Sequence, residues 1–375
     1  MSLSDWKEYK IADLVESIFS GGTPNTKVNE YWNGSLLWLS SGETKNRYIN
    51  STEKTITESG AQNSSTRLAL SGDVVMASAG QGYTRGQVSF LNVNTFINQS
   101  VIAIRANEKL LDKKFLFYNL SNRYEELRAI SDSNSIRGSI TTKMVKSMTI
   151  NIPNLDTQKS IANVLSSIDD KIENNKKINH HLEEMATSIF ENMFPNVSSG
   201  KSTIGNYIIP KRGKNLLSKD AIVGKVPVVA GGLQPSTFHN IANTKSPVLT
   251  ISASGANAGY VNLWHIPVWS SDSSYIDTSI TDNVYFWYVM LKKRQQEIYD
   301  SQTGSAQPHI YPKHIEIMPT IDLSEDKVSR FTKQVTPLFE SIGNNIKEIG
   351  ELQTLRDTLL PKLLSGEISV NQASK

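Results

Sequence analysis

The sequence predicts an α+β fold in which two β-rich globules alternate with two long helices. The helices pair as an antiparallel coiled coil, which makes the chain a pseudo-twofold internal repeat. Three observations predict it. The stretches 156–194 and 326–364 align without a gap at an offset of 170 residues. Each carries apolar residues in alternating steps of four and three, the a/d spacing of a coiled coil. Before and between them lie short apolar runs bounded by Gly, Asn, Ser and Pro, which read as strands and turns.

In chain order, the first globule covers 1–155, the first long helix 156–194, the second globule 195–325, and the second helix with its tail 326–375. Strands are read at "SLLWLSS" (35–41), "QSVIAIRA" (99–106), "VPVVAGG" (226–232) and "PVLTISAS" (247–254). "GDVVMASAGQGYTRGQVSF" (72–90) matches "SPVLTISASGANAGYVNLW" (246–264): an apolar strand, a Gly turn, then another strand. A short amphipathic helix follows near 112–129 and again near 282–299, placing "FLFY" (115–118) on "YFWY" (285–288) and Lys143 on Lys313. A repeat this long is a duplicated domain, since solenoid units run about 20–50 residues. "PNVSSGKST" (195–203) ends the first long helix and reads as a linker.

In the helices, Leu165 matches Val335, Ile168 matches Leu338, Ile172 matches Ile342, Leu182 matches Leu352 and Ile189 matches Leu359. Asp169, Lys171, Glu173 and Lys176 fall between seam positions and are expected outside. Arg356 occupies a seam position, where it is expected to loosen the packing or snorkel to water. Pro337 removes a backbone donor and predicts a kink. Asn175 and Asn345 sit at equivalent seam positions near the two midpoints. In an antiparallel pair these two side chains are expected to meet and fix the register. The plainer alternative is that they are solvated defects in two surface helices.

Composition narrows the function class. The chain has no cysteine, which excludes disulfides, thiolate metal sites and cysteine catalysis and suits a reducing cytoplasm. "MSLSDWKEYKIADLV" lacks a signal-peptide pattern, and no apolar run is long enough for a membrane span. A net charge of +3 permits a nucleic-acid partner without demanding one. "SSGKST" (198–203) ends like a phosphate-binding loop, but Pro195 stands where its first Gly belongs. No G-x-G-x-x-G follows a strand, and no Asn-Pro-Pro-aromatic box is present. His180 and His181 lack metal-ligand spacing, and Asp272, Asp277 and Asp282 have no companion base, so turn positions suit them better.

"DTQKSIANVLSSIDDKIENNKKINHHLEEMATSIFENMF" (156–194) resembles the central conserved helix of type I restriction-modification specificity subunits. "LQTLRDTLLPKLLSGEISV" (352–370) resembles their distal conserved helix, and "SGGTPNTKVNEYWNGSLLWLSSGE" (20–43) the opening of their first target-recognition domain. The resemblance implies that each globule reads one half of a bipartite double-stranded DNA target and that the helices set the spacing. It implies docking of two methyltransferase subunits and of restriction (nuclease-translocase) subunits. It implies no catalysis and no cofactor in this chain, with S-adenosylmethionine, ATP and Mg2+ used by the partner subunits, in the cytoplasm.

DNA readers need cations for phosphates and Arg, Asn, Gln or His for base edges, carried on loops. Candidates in the first globule are Thr23 and Lys27; Gln81, Tyr83 and Arg85; and Arg137, Ser139 and Lys143. Those in the second are Lys211, Arg212 and Lys214; Asn257 and Tyr260; and Gln307, His309 and Lys313. Arg85 and Arg137 are candidates for bidentate contact with guanine; Lys143 and Lys313, being repeated, suit a phosphate clamp or a structural contact. Two rival readings stay open: an enzyme acting on nucleic acid or sugar through the Asp-bearing loops near 272–282, and a coiled-coil scaffold whose globules bind protein.

Overall fold

The computed structural model describes residues 6–132, 138–304 and 307–373. The chain divides into two compact units, one of residues 1–172 with 351–375 and the other of residues 173–350. The long helices are continuous, Leu155–Met193 (the central helix) and Glu325–Ser365 (the distal helix). Compactness therefore divides the chain within the helices rather than at their ends.

Local chemistry fixes those ends. Pro153 cannot continue a helix backwards, and Asn154 accepts the Thr157 amide through Oδ1 at 2.9 Å, capping the central helix. The distal helix opens on Glu325 and Asp326, whose charges suit the positive end of the helix dipole. It closes at Gly366, with φ of 73°, where the Ile368 amide reaches back to the Lys362 carbonyl. The distal helix runs through Pro337 as one element, although the proline leaves the Lys333 carbonyl without its usual amide donor.

In the first unit a five-stranded sheet runs Val15–Ser20, Val101–Ala106, Val74–Ala77, Val88–Leu91, Tyr48–Ile49. A four-stranded sheet runs Lys54–Ile56, Trp32–Leu39, Thr95–Ile97, Arg67–Ala69. The single helix expected near 112–129 is two, Lys113–Ser121 and Tyr124–Asp132. Asp112 caps the first by accepting the Phe115 amide, and Phe115, Leu116, Phe117 and Tyr118 are all buried. They share one core with Ile161, Ala162 and Leu165 of the central helix and Leu360, Leu363 and Leu364 of the distal helix.

The second unit repeats the plan with shorter sheets. One is ordered Lys211–Arg212, Ser273–Asp277, Val248–Ser252, Val261–Trp264, the other Thr237–His239, Val226–Val229, Trp269–Ser270. The helix near 282–299 is again two, Val284–Lys293 and Gln295–Asp300. The linker read at 195–203 contains a strand, Ser202–Thr203, paired with Pro319–Thr320. The core of this unit joins Phe190 of the central helix and Phe194 just beyond its end to Phe286 and to Phe331, Val335, Phe339 and Ile342 of the distal helix.

Asp169 corrects the heptad reading. Buried positions of the central helix in the first unit come in adjacent pairs: Ile161 with Ala162, Leu165 with Ser166, Ile168 with Asp169. The buried stripe is therefore wider than a two-helix seam, because the helix packs on the globule as well. Asp169, expected outside, is 2% exposed. Its Oδ2 accepts from Arg47 Nε at 2.9 Å and from the hydroxyls of Tyr48 and Tyr118 at 2.8 Å each, and its Oδ1 accepts from Arg356 Nη1 at 2.9 Å. Arg356 consequently neither loosens the seam nor snorkels. Burial pushes the Asp169 carboxyl up, but Arg47's charge and the hydrogen bonds from both arginines and Tyr48 outweigh it and hold it below the usual carboxylate range. Burial and the Asp169 charge push both tyrosine hydroxyls above their usual value.

The repeat diverges at this point. In the second unit, at the same offset, Phe339 stands in place of Asp169 and Tyr288 in place of Tyr118. The Phe339 ring stacks on Tyr285 with centroids 4.7 Å apart and meets the edge of Tyr288 at 5.7 Å. The Tyr288 hydroxyl turns to Glu183 at 3.3 Å.

The sequence predicts that the two midpoint asparagines meet each other, but each bonds a different residue. Asn175 Nδ2 donates to Glu348 Oε2 at 2.7 Å, and Asn345 Nδ2 donates to Asn179 Oδ1 at 2.8 Å. Asn345 thus faces a residue about one helical turn beyond Asn175, a stagger the equal-midpoint argument does not include. Asn175 is 2% exposed, so it is a seam residue and not a solvated defect.

Candidate nucleic-acid interface

The candidate loops converge within each unit on the end of one β-hairpin. In the first unit, strands Val74–Ala77 and Val88–Leu91 are joined by a loop closed by the Gly86 amide on the Ala77 carbonyl at 2.9 Å. The Ile140 amide donates to the Ser78 carbonyl at 2.8 Å, which fastens the segment 138–143 beside this loop. The Ser78 amide donates to the Ser100 carbonyl at 2.8 Å. The neighbouring Gln99 accepts from Thr23 Oγ1 at 2.5 Å, which brings in the loop 21–27.

The second unit uses the same construction. The Gly259 amide closes the hairpin on the Ser252 carbonyl at 2.7 Å, and the Ile310 amide donates to the Ala253 carbonyl at 2.9 Å. Ile140 and Ile310 are 170 residues apart, so the fastening is duplicated with the chain. Arg212 Nη2 donates to Asp272 Oδ1 at 2.6 Å, and Ser254 Oγ bonds Oδ2 of the same carboxylate, which adds the stretch 210–215. Thr303 and His309 exchange reciprocal backbone bonds of 3.1 and 2.8 Å.

The candidates separate by exposure. Lys27, Gln81, Tyr83, Lys143, Lys211, Arg212, Lys214, Gln307 and Lys313 are exposed. Of these, Arg212 pairs with Asp272 and Lys313 with Glu316 at 3.3 Å. Thr23, Ser139, Asn257 and His309 are half-buried at the rim of the same loops. Tyr260 is half-buried with the Lys292 ammonium 4.5 Å above its ring, a hairpin support more than a solvent-facing group. Arg137 lies outside the described residues.

Arg85 differs from the expectation of a free guanine reader. It is 7% exposed and ion-paired with Asp132, and a Cβ at Gly138 would fall on its guanidinium. The arginine joins hairpin, helix and following loop from beneath, and sequence offered no sign of this because its partner lies 47 residues away. The sequence reading also missed Gln99, which meets Thr23, and Tyr124 and Arg128, which hold the hairpin tip.

The groups weighed for chemistry are either held by structural partners or exposed. Asp277 is buried and accepts the Lys245 amide at 2.7 Å and the Ser279 amide at 3.0 Å. Asp272 serves Arg212 and Ser254, and Asp282 is exposed. His180 and His181 are exposed on the central helix, His180 lying 3.3 Å from Glu184. Among the described residues no three His, Asp or Glu side chains gather as metal ligands would, and no helix is long and apolar enough to cross a membrane.

Two β-rich globules, each with a loop-crowned hairpin, and two long paired helices define the class: a duplicated α+β protein built on helical supports. The family model for the type I restriction modification DNA specificity domain matches residues 3–184. The type I restriction enzyme MjaIX specificity subunit of Methanocaldococcus jannaschii is 28% identical, covering 98% of this chain and 94% of that protein. The HindI specificity subunit of Haemophilus influenzae is 25% identical over 64% of this chain and 53% of its own. The crystal structure of a type I restriction-modification S subunit from M. genitalium shares the fold, with a TM-score of 0.62, 21% identity and 96% coverage of both chains. Residues 3–184 thus carry a type I restriction modification DNA specificity domain, and nearly the whole chain is similar to a type I restriction enzyme specificity subunit.

Proposed function

We propose that each unit reads one half of a bipartite DNA target through its hairpin-end loops, and that the two long helices set the unread spacing between the halves. The observation that carries this reading is the duplicated platform. The same hairpin closure and the same fastening bond, Ile140 to Ser78 and Ile310 to Ala253, present exposed Lys and Gln side chains twice in one chain. Cations on such loops would neutralise phosphates, while amides and His309 would meet base edges. Two methyltransferase subunits, and restriction subunits where present, would dock on the assembly. S-adenosylmethionine, ATP and Mg2+ would act in those partners, and the complex would work in the cytoplasm.

The test is to map methylated adenines in a genome that encodes this chain with its methyltransferase. A split motif that vanishes on deletion of the chain is the expected result. Replacing residues 1–172 with the matching stretch of another specificity subunit, so that Arg47, Tyr48 and Tyr118 travel with Asp169, should change one half of that motif. A contiguous motif, or a change in both halves, overturns the reading.

A further inference from the structure

We propose that Tyr83 is a stacking residue whose ring wedges against a base of the half-site read by the first unit. The inference deepens the DNA-reading proposal and rests on it.

The two hairpins close alike but differ in length. Between the bonded partners lie eight residues in the first unit, 78–85, and six in the second, 253–258. The longer loop reaches a tip at Gly82 and Tyr83. Gly82 has φ of 58°, a left-handed conformation that suits glycine, and a Cβ there would meet nothing within 4 Å. Tyr83 is 82% exposed, whereas other exposed large apolar side chains of the same unit, such as Leu68 and Leu110, stay below half.

An aromatic ring left in water on a tip is unfavourable by itself. Here the backbone under the ring is held in place. The Tyr124 hydroxyl donates to the Tyr83 carbonyl at 3.0 Å, and Arg128 Nη1 donates to the Gly82 carbonyl at 2.8 Å. Both come from the helix Tyr124–Asp132, to which the buried Arg85 also ties the loop through Asp132. The arrangement fixes the carbonyls and leaves the ring free to meet a partner, so little ordering remains to be done on binding. Exposed Gln81 and Lys143 on the same loop cluster supply polar and cationic neighbours. A ring presented this way suits a base face, because stacking tolerates any base and wedges enter most readily at flexible pyrimidine–purine steps.

The second hairpin has no counterpart. Its shorter tip carries Ala256 and Asn257, and its tyrosine, Tyr260, follows the closure and lies under Lys292. Stacking by a hairpin-tip ring is therefore confined to the half-site of the first unit.

The test uses the full chain and the duplex it enriches from a randomised pool, resynthesised with 2-aminopurine at successive positions. Wild type and Tyr83→Phe should raise the fluorescence at one position of one half-site. Tyr83→Ala should abolish the rise and weaken binding by about 5- to 150-fold, the range of single base–aromatic stacks. Tyr124→Phe, which keeps the ring but frees its carbonyl, should bind less tightly than wild type and retain the rise. Equal affinity and equal fluorescence for Tyr83→Ala overturns the stacking role while leaving DNA reading intact. Failure of wild type to enrich any duplex overturns both together.

Discussion

Arg356 Nη1 lies 2.9 Å from Asp169 Oδ1, joining the distal to the central helix inside the first unit. Arg47 and two tyrosines complete the shell of the same carboxylate. The side chains are 14% and 2% exposed, so water contributes little to solvating either charge. The worth of such a cluster lies in its completeness, since removing one member leaves the others buried without compensation.

Asp169→Asn is therefore expected to destabilise the first unit by about 3 kcal/mol, the usual cost of breaking a buried pair from one side. Asp169→Leu combined with Arg356→Leu should cost less than Asp169→Leu alone. Native-state hydrogen exchange resolves the first unit from the second, and equal costs for the single and double variants would contradict the argument.

The same cluster predicts two pH limbs. The folded Asp169 pKa is lowered, so its contribution is complete above the usual aspartate range. That contribution is lost as the pH falls toward the folded value, because the unfolded chain takes up the proton first. Tyr48 and Tyr118 are raised, so their contribution is complete below the usual tyrosine value and is lost as the pH rises beyond it. Asp169→Asn should flatten the acid limb of the first unit's stability, and Tyr48→Phe with Tyr118→Phe the alkaline one. Stability measured across pH checks both.

At the helix midpoints, coupling should follow the observed pairs. A double-mutant cycle between Asn175 and Glu348 should give about 1.5–3 kcal/mol, as for a hydrogen bond to a charged group. The neutral pair Asn179 and Asn345 should give about 1 kcal/mol. A larger coupling between Asn175 and Asn345 than within either pair would restore the symmetric register.

On the proposed reading, the exposed loop cations contact phosphate and the buried one is a support. Lys143→Gln and Lys211→Gln should each reduce the salt slope of DNA binding by about one ion, as loss of one phosphate contact requires. Arg85→Gln should lower the stability of the first unit by about 1 kcal/mol, since Asp132 is largely exposed and its charge screened, and leave the slope unchanged. Binding isotherms at several salt concentrations decide it.

Much of this architecture was legible because duplication writes each element twice. The gapless helices and the "FLFY" and "YFWY" segments lie where the offset of 170 places them, and the hairpins recur three to four residues beyond it. What escaped was contact at long range. The heptad pattern describes helix against helix, and so it misplaced Asp169, whose partners Arg47, Tyr48 and Tyr118 come from the globule. A loop arginine reads alike whether it faces water or an aspartate, which is why the burial and pairing of Arg85 were not foreseen and Gln99, Tyr124 and Arg128 passed unnoticed.

The substitution of Phe339 for Asp169 at the repeated position bears on how such chains can be shuffled. A first globule transplanted onto the second half's helical support would set an arginine and two tyrosine hydroxyls against a benzyl ring. The reverse transplant would bury a carboxylate among aromatic rings. Viable crossovers between related genes must therefore keep Arg47, Tyr48 and Tyr118 in linkage with the codon for Asp169. The permissive joint lies beyond residue 169, inside the central helix, and not at the edge of the globule where a domain boundary invites the cut.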